Sequence, residues 1–397
     1  MSELLNDPQV FSADLFEIMP GLNPGIEQMA LYEFRYCLNN ITPEAGWGSV
    51  KLEPAEAIVQ MTNNPDYYES IQIKPRVGDK IVLDDNIVSL AQMLFVGLVT
   101  GAYLPEWVNE HFYFDIRSFF FLHRTRYFTE LILEHFGGKP YRQFEQLQKQ
   151  FDRCLDIGYK AFSQANAELD QLFINSVKKI IAARGTPILL AIAGPTAAGK
   201  TEIVERLRLA FEADGQNTSS VELDNFLTDR DEREERGVHS RGKDAIHFEL
   251  LKESLENITS GEKISIPRYD FIDGISSHNL DGSLKPGCVP LEIEPADIIF
   301  MEGNFPFLIQ ELVHYIGIKV VYLTDDDVRM KRKWKRDIDY RKKYEPTYYR
   351  NRYFKTQFLM ADFAYRPQME VCDLTVDTSG AALWTTPEIA GILDKND

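Results

Sequence analysis

Hydrophobic positions in this chain fall into two regimes, separated near Gly185-Thr186-Pro187. Before that break, Phe144, Leu147, Phe151, Leu155, Phe162, Leu169, Leu172, Phe173, Val177, Ile180 and Ile181 recur mostly at three- or four-residue steps. That period predicts a long amphipathic helix over 140–184, or two in series interrupted near Gly158. Further upstream, residues 1–136 read as largely helical, with irregular structure around Pro43–Pro75. Ala91–Tyr103 reads as a buried helix started by Asp84-Asp85-Asn86, and the aromatic Phe112–Phe128 as a helix packing its rings into a core. Gly137-Gly138, followed by Lys139-Pro140, ends the aromatic region. The expected division is a mainly helical region over 1–137, a helical connector over 138–185 and a further domain over 186–397.

Past Gly185 the pattern changes. Ile188–Ala193 is a continuous apolar run, the mark of a strand buried on both faces of a parallel sheet. Ser219–Leu223, Ile298–Met301, Lys319–Leu323 and Asp373–Val376 also read as strands, with helical stretches between most of them. Such alternation predicts a three-layer α/β/α domain on a mostly parallel sheet.

Composition limits the partners. The 397 residues carry a formal net charge of −18, which repels a phosphate backbone and an anionic membrane surface, so neither nucleic acid nor membrane is expected as a partner. Cys37, Cys154, Cys288 and Cys372 form no CxxC pair, which suggests neither a disulfide framework nor a zinc site. The start, MSELLNDPQVFSADLF, lacks the basic residues and apolar run of a signal peptide, and the expectation is a cytoplasmic protein. Within the acidic chain, residues 328–355 hold 12 basic and 3 acidic side chains, a local site for a small, highly charged ligand.

The chemistry begins where the first apolar run ends. Gly194-Pro195-Thr196-Ala197-Ala198-Gly199-Lys200-Thr201 is GxxxxGK[ST] between a strand and a helix. Glycines let backbone N–H groups close around phosphate oxygens, and the helix N-terminus adds donors and partial positive charge. Lys200 would bridge the β- and γ-phosphates of a nucleotide, and Thr201 would offer its hydroxyl to Mg²⁺. No Asn-Lys-x-Asp element occurs, which disfavours a GTPase. Downstream stand Asp224-Asn-Phe226 after the second strand, Pro267-Arg-Tyr269-Asp-Phe271, Glu302-Gly303 after an apolar strand, and the basic Val328–Arg341 with Arg336-Asp337.

In that order the set resembles the uridine kinase/phosphoribulokinase family, which also holds type I pantothenate kinases and some glycerate kinases; the resemblance covers about residues 186–380. It implies a P-loop kinase domain that uses ATP and Mg²⁺ to phosphorylate a hydroxyl of a small molecule. It assigns Asp224 as the carboxylate that accepts the hydroxyl's proton, Glu302 with Thr201 as the Mg²⁺ residues, and Arg336 and Arg341, with Arg332 assisting, as lid arginines. Asp244 and Tyr269 fall on positions that meet a nucleoside, although a helix N-cap for Asp244 and core packing for Tyr269 read equally well. Lys243 and His247 replace the proline and the final aspartate of the family's PDAFD element, and His278 is displaced from the His-x-Arg that usually follows Tyr-Asp-Phe, with no arginine shortly after it, which leaves the base of a nucleoside in doubt. The run Asp229–Arg236 reads as a solvated flap. A nucleoside or sugar-type acceptor is favoured, with pantothenate- or glycerate-type acids and a nucleotide-gated regulatory or scaffold protein as the alternatives. Family members are often homo-oligomers, and the helix of 140–184 is either an interface or part of the kinase domain.

Overall fold

The computed structural model describes residues 2–64, 67, 74–77, 80–82, 85–116, 119–144, 166–238, 242–336 and 361–395. The described chain forms two compact units, the first ending at Thr125 and the second beginning at Arg126.

The first unit is mainly helical. Helix α1 (Pro8–Ile18) starts at Asp7, whose carboxylate accepts from the backbone N–H of Gln9 at 2.8 Å. Helix α2 (Leu31–Leu38) follows, then α3 (Asp85–Thr100), which buries Ile87, Leu90, Ala91, Leu94 and Phe95. The buried helix expected over Ala91–Tyr103 is therefore present from Asp85 but stops at Thr100, short of Tyr103. Among the described residues no helix is long and apolar enough to cross a membrane.

The aromatic stretch expected as a helix is instead an antiparallel pair, β1 (Phe112–Asp115) and β2 (Phe120–His123), in register Phe112↔His123 and Phe114↔Phe121. Consecutive aromatic residues fit a pleated surface better than a helix, and here both faces are covered: Phe112, Tyr113, Phe114, Phe120, Phe121 and Leu122 are all buried. Phe114 packs edge-on to Phe95 of α3 at 5.9 Å, so the rings do join a core. In α3, a Cβ on Gly97 would run into the ring of buried Tyr103. Gly97→Ala is therefore expected to cost about 1–3 kcal/mol of stability through overpacking; an unmoved urea midpoint would contradict this packing.

The second unit opens with α4 (Glu130–His135) and the short strand β3 (Arg142–Gln143). The expected helix over 140–184 therefore does not begin at 140: Arg142 and Gln143 pair with an edge strand of the sheet. Residues 145–165 of that stretch, with Gly158, lie outside the described residues, and α5 (Ala167–Arg184) is helical up to Gly185, whose φ of +86° suits glycine alone. Next come β4 (Ile188–Ala193), α6 (Lys200–Ala213), β5 (Thr218–Glu222), α7 (Arg230–Glu235), α8 (Phe248–Thr259), β6 (Ile298–Gly303), β7 (Ile318–Leu323), α9 (Asp326–Lys335), α10 (Ala361–Met369), β8 (Leu374–Asp377), β9 (Ala382–Thr385) and α11 (Pro387–Asp394).

The sheet runs β3-β9-β8-β7-β4-β6-β5; β4 to β8 are mutually parallel, β9 is antiparallel to β8, and β3 at the edge is antiparallel to β9. Alternation along β4 makes the three layers. Ile188, Leu190 and Ile192 face α5, α6 and α11, whereas Leu189, Ala191 and Ala193 face the core that includes α4, α8 and α10. Both faces are apolar, hence the unbroken run in the sequence. From β4 the chain crosses to β5 on one side, and from β6 to β7 on the other. The crevice beyond the carboxyl ends of β4 and β6 is thus a switch point, where open α/β sheets bind ligands.

Candidate active site

The loop Gly194–Gly199 closes the end of β4 and hands over to α6. Gly199 caps the helix at φ +102°, and Ala197 is held at φ +62°, a left-handed conformation that costs a non-glycine residue energy. A Cβ on Gly194 would strike the carbonyl oxygen of Tyr322 in β7, so only glycine lets the neighbouring strand approach. Thr324 secures the loop further, donating from its hydroxyl to the carbonyl of Ala198 at 2.9 Å. Lys200 folds back into the loop and donates to the carbonyls of Gly194 at 2.8 Å and Pro195 at 3.1 Å, and to Asn304 Oδ1 at 3.2 Å. The last bond spans the switch point from α6 to the loop after β6. Burial lowers the pKa of this ammonium, Glu302 and Asp224 oppose that, and Arg336 and Arg329 reinforce it.

Carboxylates gather opposite Lys200. Glu302 of β6 is in register with Glu222 of β5, and aligned residues of parallel neighbours point to one face. Burial drives the Glu302 carboxyl up to about 7; Lys200 and a hydrogen bond from the Thr201 hydroxyl pull it down, and Glu222 and Asp224 push it up. Glu222 is also raised, by burial and then by Asp224. Asp224 stands in the 3₁₀ turn Leu223–Phe226 directly after β5. Lys200, Thr201, Asp224 and Glu302 are thereby brought into one electrostatic cluster.

The basic segment reaches the same loop from α9. Arg336 Nη2 donates to the hydroxyl of Thr196 at 3.1 Å, and Arg332 Nη1 to the carbonyl of Ala197 at 3.3 Å. Arg341 lies outside the described residues. Arg329 is fully buried and ion-paired with Asp326.

On the acceptor side, Tyr269 is 6% exposed. Its phenol oxygen accepts from Arg233 Nη2 at 3.1 Å, and its backbone N–H donates to Asn225, the neighbour of Asp224, at 3.3 Å. The packing and the position beside the cluster therefore coexist. Asp244 is exposed in the turn Lys243–Ala245, and the cap position of α8 is His247, so the N-cap reading of Asp244 fails. No contact joins the Asp244 side chain to the cluster among the described residues; Arg236 binds its backbone carbonyl at 3.3 Å. His247 is buried, bonded through Nε2 to the Ser276 hydroxyl at 3.1 Å, and burial holds its pKa down at about 4. His278 bonds Ser277 at 2.8 Å within its own loop.

The run Asp229–Arg236 is solvated on one side only: Asp231, Glu234, Glu235 and Arg236 are exposed, whereas Asp229 and Arg233 are tied into the domain. The Asp229 carboxylate accepts from the Ser276 N–H at 2.7 Å and from Lys285 at 2.6 Å. Arg233 is 7% exposed and bonds the Thr228 carbonyl as well as Tyr269. Charged residues buried this way need partners, and the partners come from segments that a charge pattern does not reveal.

Asn304 and Gln368 escaped the sequence reading. Gln368, fully buried, donates to the Asn304 carbonyl at 3.1 Å and accepts from the Phe307 N–H at 3.2 Å, fixing the loop that carries Asn304. Asn304 stood beside Glu302-Gly303 and was open to notice; Gln368 is 64 residues further on and gave no signal.

With this geometry in place, comparison with known proteins gives the following matches. Residues 189–381 match the family model described as the Phosphoribulokinase / Uridine kinase family. A uridine kinase of Brevibacillus brevis is 31% identical over 160 residues, which is 40% of this chain and 69% of that protein. A uridine kinase of Leuconostoc citreum is 27% identical over 158 residues, 39% of this chain and 70% of the relative. Among solved structures, a putative fructose transport system kinase from Silicibacter sp. TM1040 aligns with a TM-score of 0.38 at 18% identity, covering 51% of this chain and 94% of that one.

Proposed function

We propose that this chain, which belongs to the phosphoribulokinase/uridine kinase family, is an ATP-dependent kinase that transfers the γ-phosphoryl group to a hydroxyl of a small metabolite, with a nucleoside or sugar-type alcohol as the favoured acceptor. The observation that carries this reading is the convergence of Lys200, Thr201, Glu302 and Asp224 at the switch point of the sheet. An ATP triphosphate fits the Gly194–Thr201 cradle, where Lys200 would exchange two backbone carbonyls for phosphate oxygens.

Mg²⁺ fits the donors. Among the described residues no cluster of three or more side chains forms an all-protein metal cage. Mg²⁺ needs none: it takes one or two carboxylates and completes its shell with phosphate oxygens and water. Thr201 and Glu302, already hydrogen-bonded to each other, are oxygen ligands of that kind. When bound, the ion supplies charge neutralisation between the β- and γ-phosphates. Asp224 would orient the acceptor hydroxyl and take its proton, which is most of what phosphoryl transfer asks of a protein. Arg336, with Arg332 and Arg341, would meet the charge on the transferring group. Tyr269 would border the acceptor and Asp244 would reach its hydroxyls.

A panel of nucleosides, sugars, pantothenate and glycerate, scored by ADP release from Mg-ATP, tests the reading. Stimulation by one acceptor is expected. Stimulation by none would instead favour a nucleotide-gated regulatory role.

Glu302 gives a second test, through pH. The folded chain holds its proton up to about 7, against an ordinary value of 4.5. Its contribution to stability is therefore present below the ordinary carboxylate range and is lost as pH rises through about 7. On the order of 3 kcal/mol is involved. Urea midpoints of the nucleotide-free protein should fall less between acid and neutral pH in Glu302→Gln than in the parent chain. Parallel profiles would contradict this.

A further inference from the structure

Beside the phosphate loop, between α5, α6 and β7, lies a buried polar cluster that the proposed chemistry does not use. Asp170, in the first turn of α5, is 4% exposed. Its carboxylate is ion-paired with Arg206 of α6 and accepts from the hydroxyl of Tyr322 in β7 at 3.3 Å. Tyr322 is 2% exposed and touches the loop twice: its carbonyl stands where a Gly194 Cβ would go, and its ring lies 3.6 Å from where a Gly199 Cβ would go. On α6, Glu202 directly follows Thr201 and faces Arg206 and Arg332, and Arg332 donates to the Ala197 carbonyl. The Asp170 carboxylate thus joins a helix outside the nucleotide motif to the helix and the strand that shape the loop, and Glu202 carries the link on from α6 to the basic segment.

We propose that Asp170 and Tyr322 are positioning residues for the nucleotide: with Arg206 they form a buried strut that fixes the outer wall of the phosphate loop. The proposal rests on the nucleotide-binding reading of Gly194–Thr201. Burial raises the Asp170 carboxyl to about 6 even against the neighbouring Arg206, so the arrangement is costly to keep charged. A buried ion pair adds little net stability over a well-packed apolar replacement. What it does give is fixed geometry, and the geometry fixed here is that of Gly194, Gly199 and Tyr322. Arg206 and Tyr322 pull Asp170 toward ionisation and Glu202 opposes it, so α6 and β7 both bear on the carboxylate that α5 carries.

The test uses the full chain and Mg-ADP as the probe. Tyr322→Phe keeps the ring and removes only the hydroxyl bond. It is expected to weaken Mg-ADP binding about fivefold to tenfold in calorimetry, by loss of a hydrogen bond to a charged group. Amide exchange of the Gly194–Thr201 segment in the nucleotide-free protein should quicken, while exchange in α8 stays as in the parent. Asp170→Asn should lose at least as much affinity, and if that variant does not fold, Tyr322→Phe alone decides. Unchanged affinity together with unchanged loop exchange in Tyr322→Phe overturns the strut. A parent chain that binds no Mg-ADP overturns the nucleotide reading itself, and the strut is then judged on the exchange data.

Discussion

Asp224→Asn is expected to lower acceptor phosphorylation by about 10²- to 10⁴-fold, the range for removing a positioned general base. The affinity for Mg-nucleotide should stay within a few-fold of the parent. The split follows from where Asp224 sits. It occupies the 3₁₀ turn after β5, beside Asn225, whose side chain holds the backbone of Tyr269 at 3.3 Å. It acts on Lys200 through space, as a neighbouring charge. Asparagine matches its shape and removes its negative charge, so the turn and its bond to the Tyr269 backbone should be undisturbed. Turnover and nucleotide affinity that fell together would place Asp224 in the nucleotide site instead. Undiminished turnover would remove it from the chemistry.

Lys200→Ala should produce the complementary result. Without nucleotide, the ammonium satisfies the carbonyls of Gly194 and Pro195 and the side chain of Asn304. With nucleotide, the same charge would meet phosphate oxygens and still counter Glu302 and Asp224. Its loss removes the cation that faces these two carboxylates and leaves Glu302 beside Glu222 and Asp224 without that compensation. Catalytic efficiency is expected to drop about 10²- to 10³-fold, as when one preorganised electrostatic donor is removed. Unlike Asp224→Asn, this variant should also bind Mg-ATP more weakly in calorimetry. Intact nucleotide affinity in Lys200→Ala would mean that the ammonium serves only to hold the empty loop.

The kinase sheet was legible because its strands are buried on both faces. Ile188–Ala193 and Ile298–Met301 are apolar without alternation, as strands covered on both faces of a parallel sheet are. The phosphate loop was legible for a local reason: Gly194 and Gly199 answer to constraints within the motif and its immediate neighbours. The acceptor side was read less well, because its contacts join distant segments. Arg233 looked like one charge in a solvated run, yet it reaches Tyr269, 36 residues away, through a buried bond. Gln368 and Asp170 act in the same way, through single side chains far from any motif. Phe112–His123 misled for a different reason. Rings in a row carry no period once both faces of a hairpin are buried, and a helix was then as good a reading as a strand pair.

The most direct test of the account is mass spectrometry of the acceptor after incubation of the full chain with Mg-ATP and the nucleoside, sugar, pantothenate and glycerate panel. One alcohol should gain a phosphate monoester in step with ADP release, and Asp224→Asn should form it at about a hundredth of the parent rate or less. Mg-ATP binding with no phosphorylated acceptor from any class, or equal product from Asp224→Asn, would contradict it.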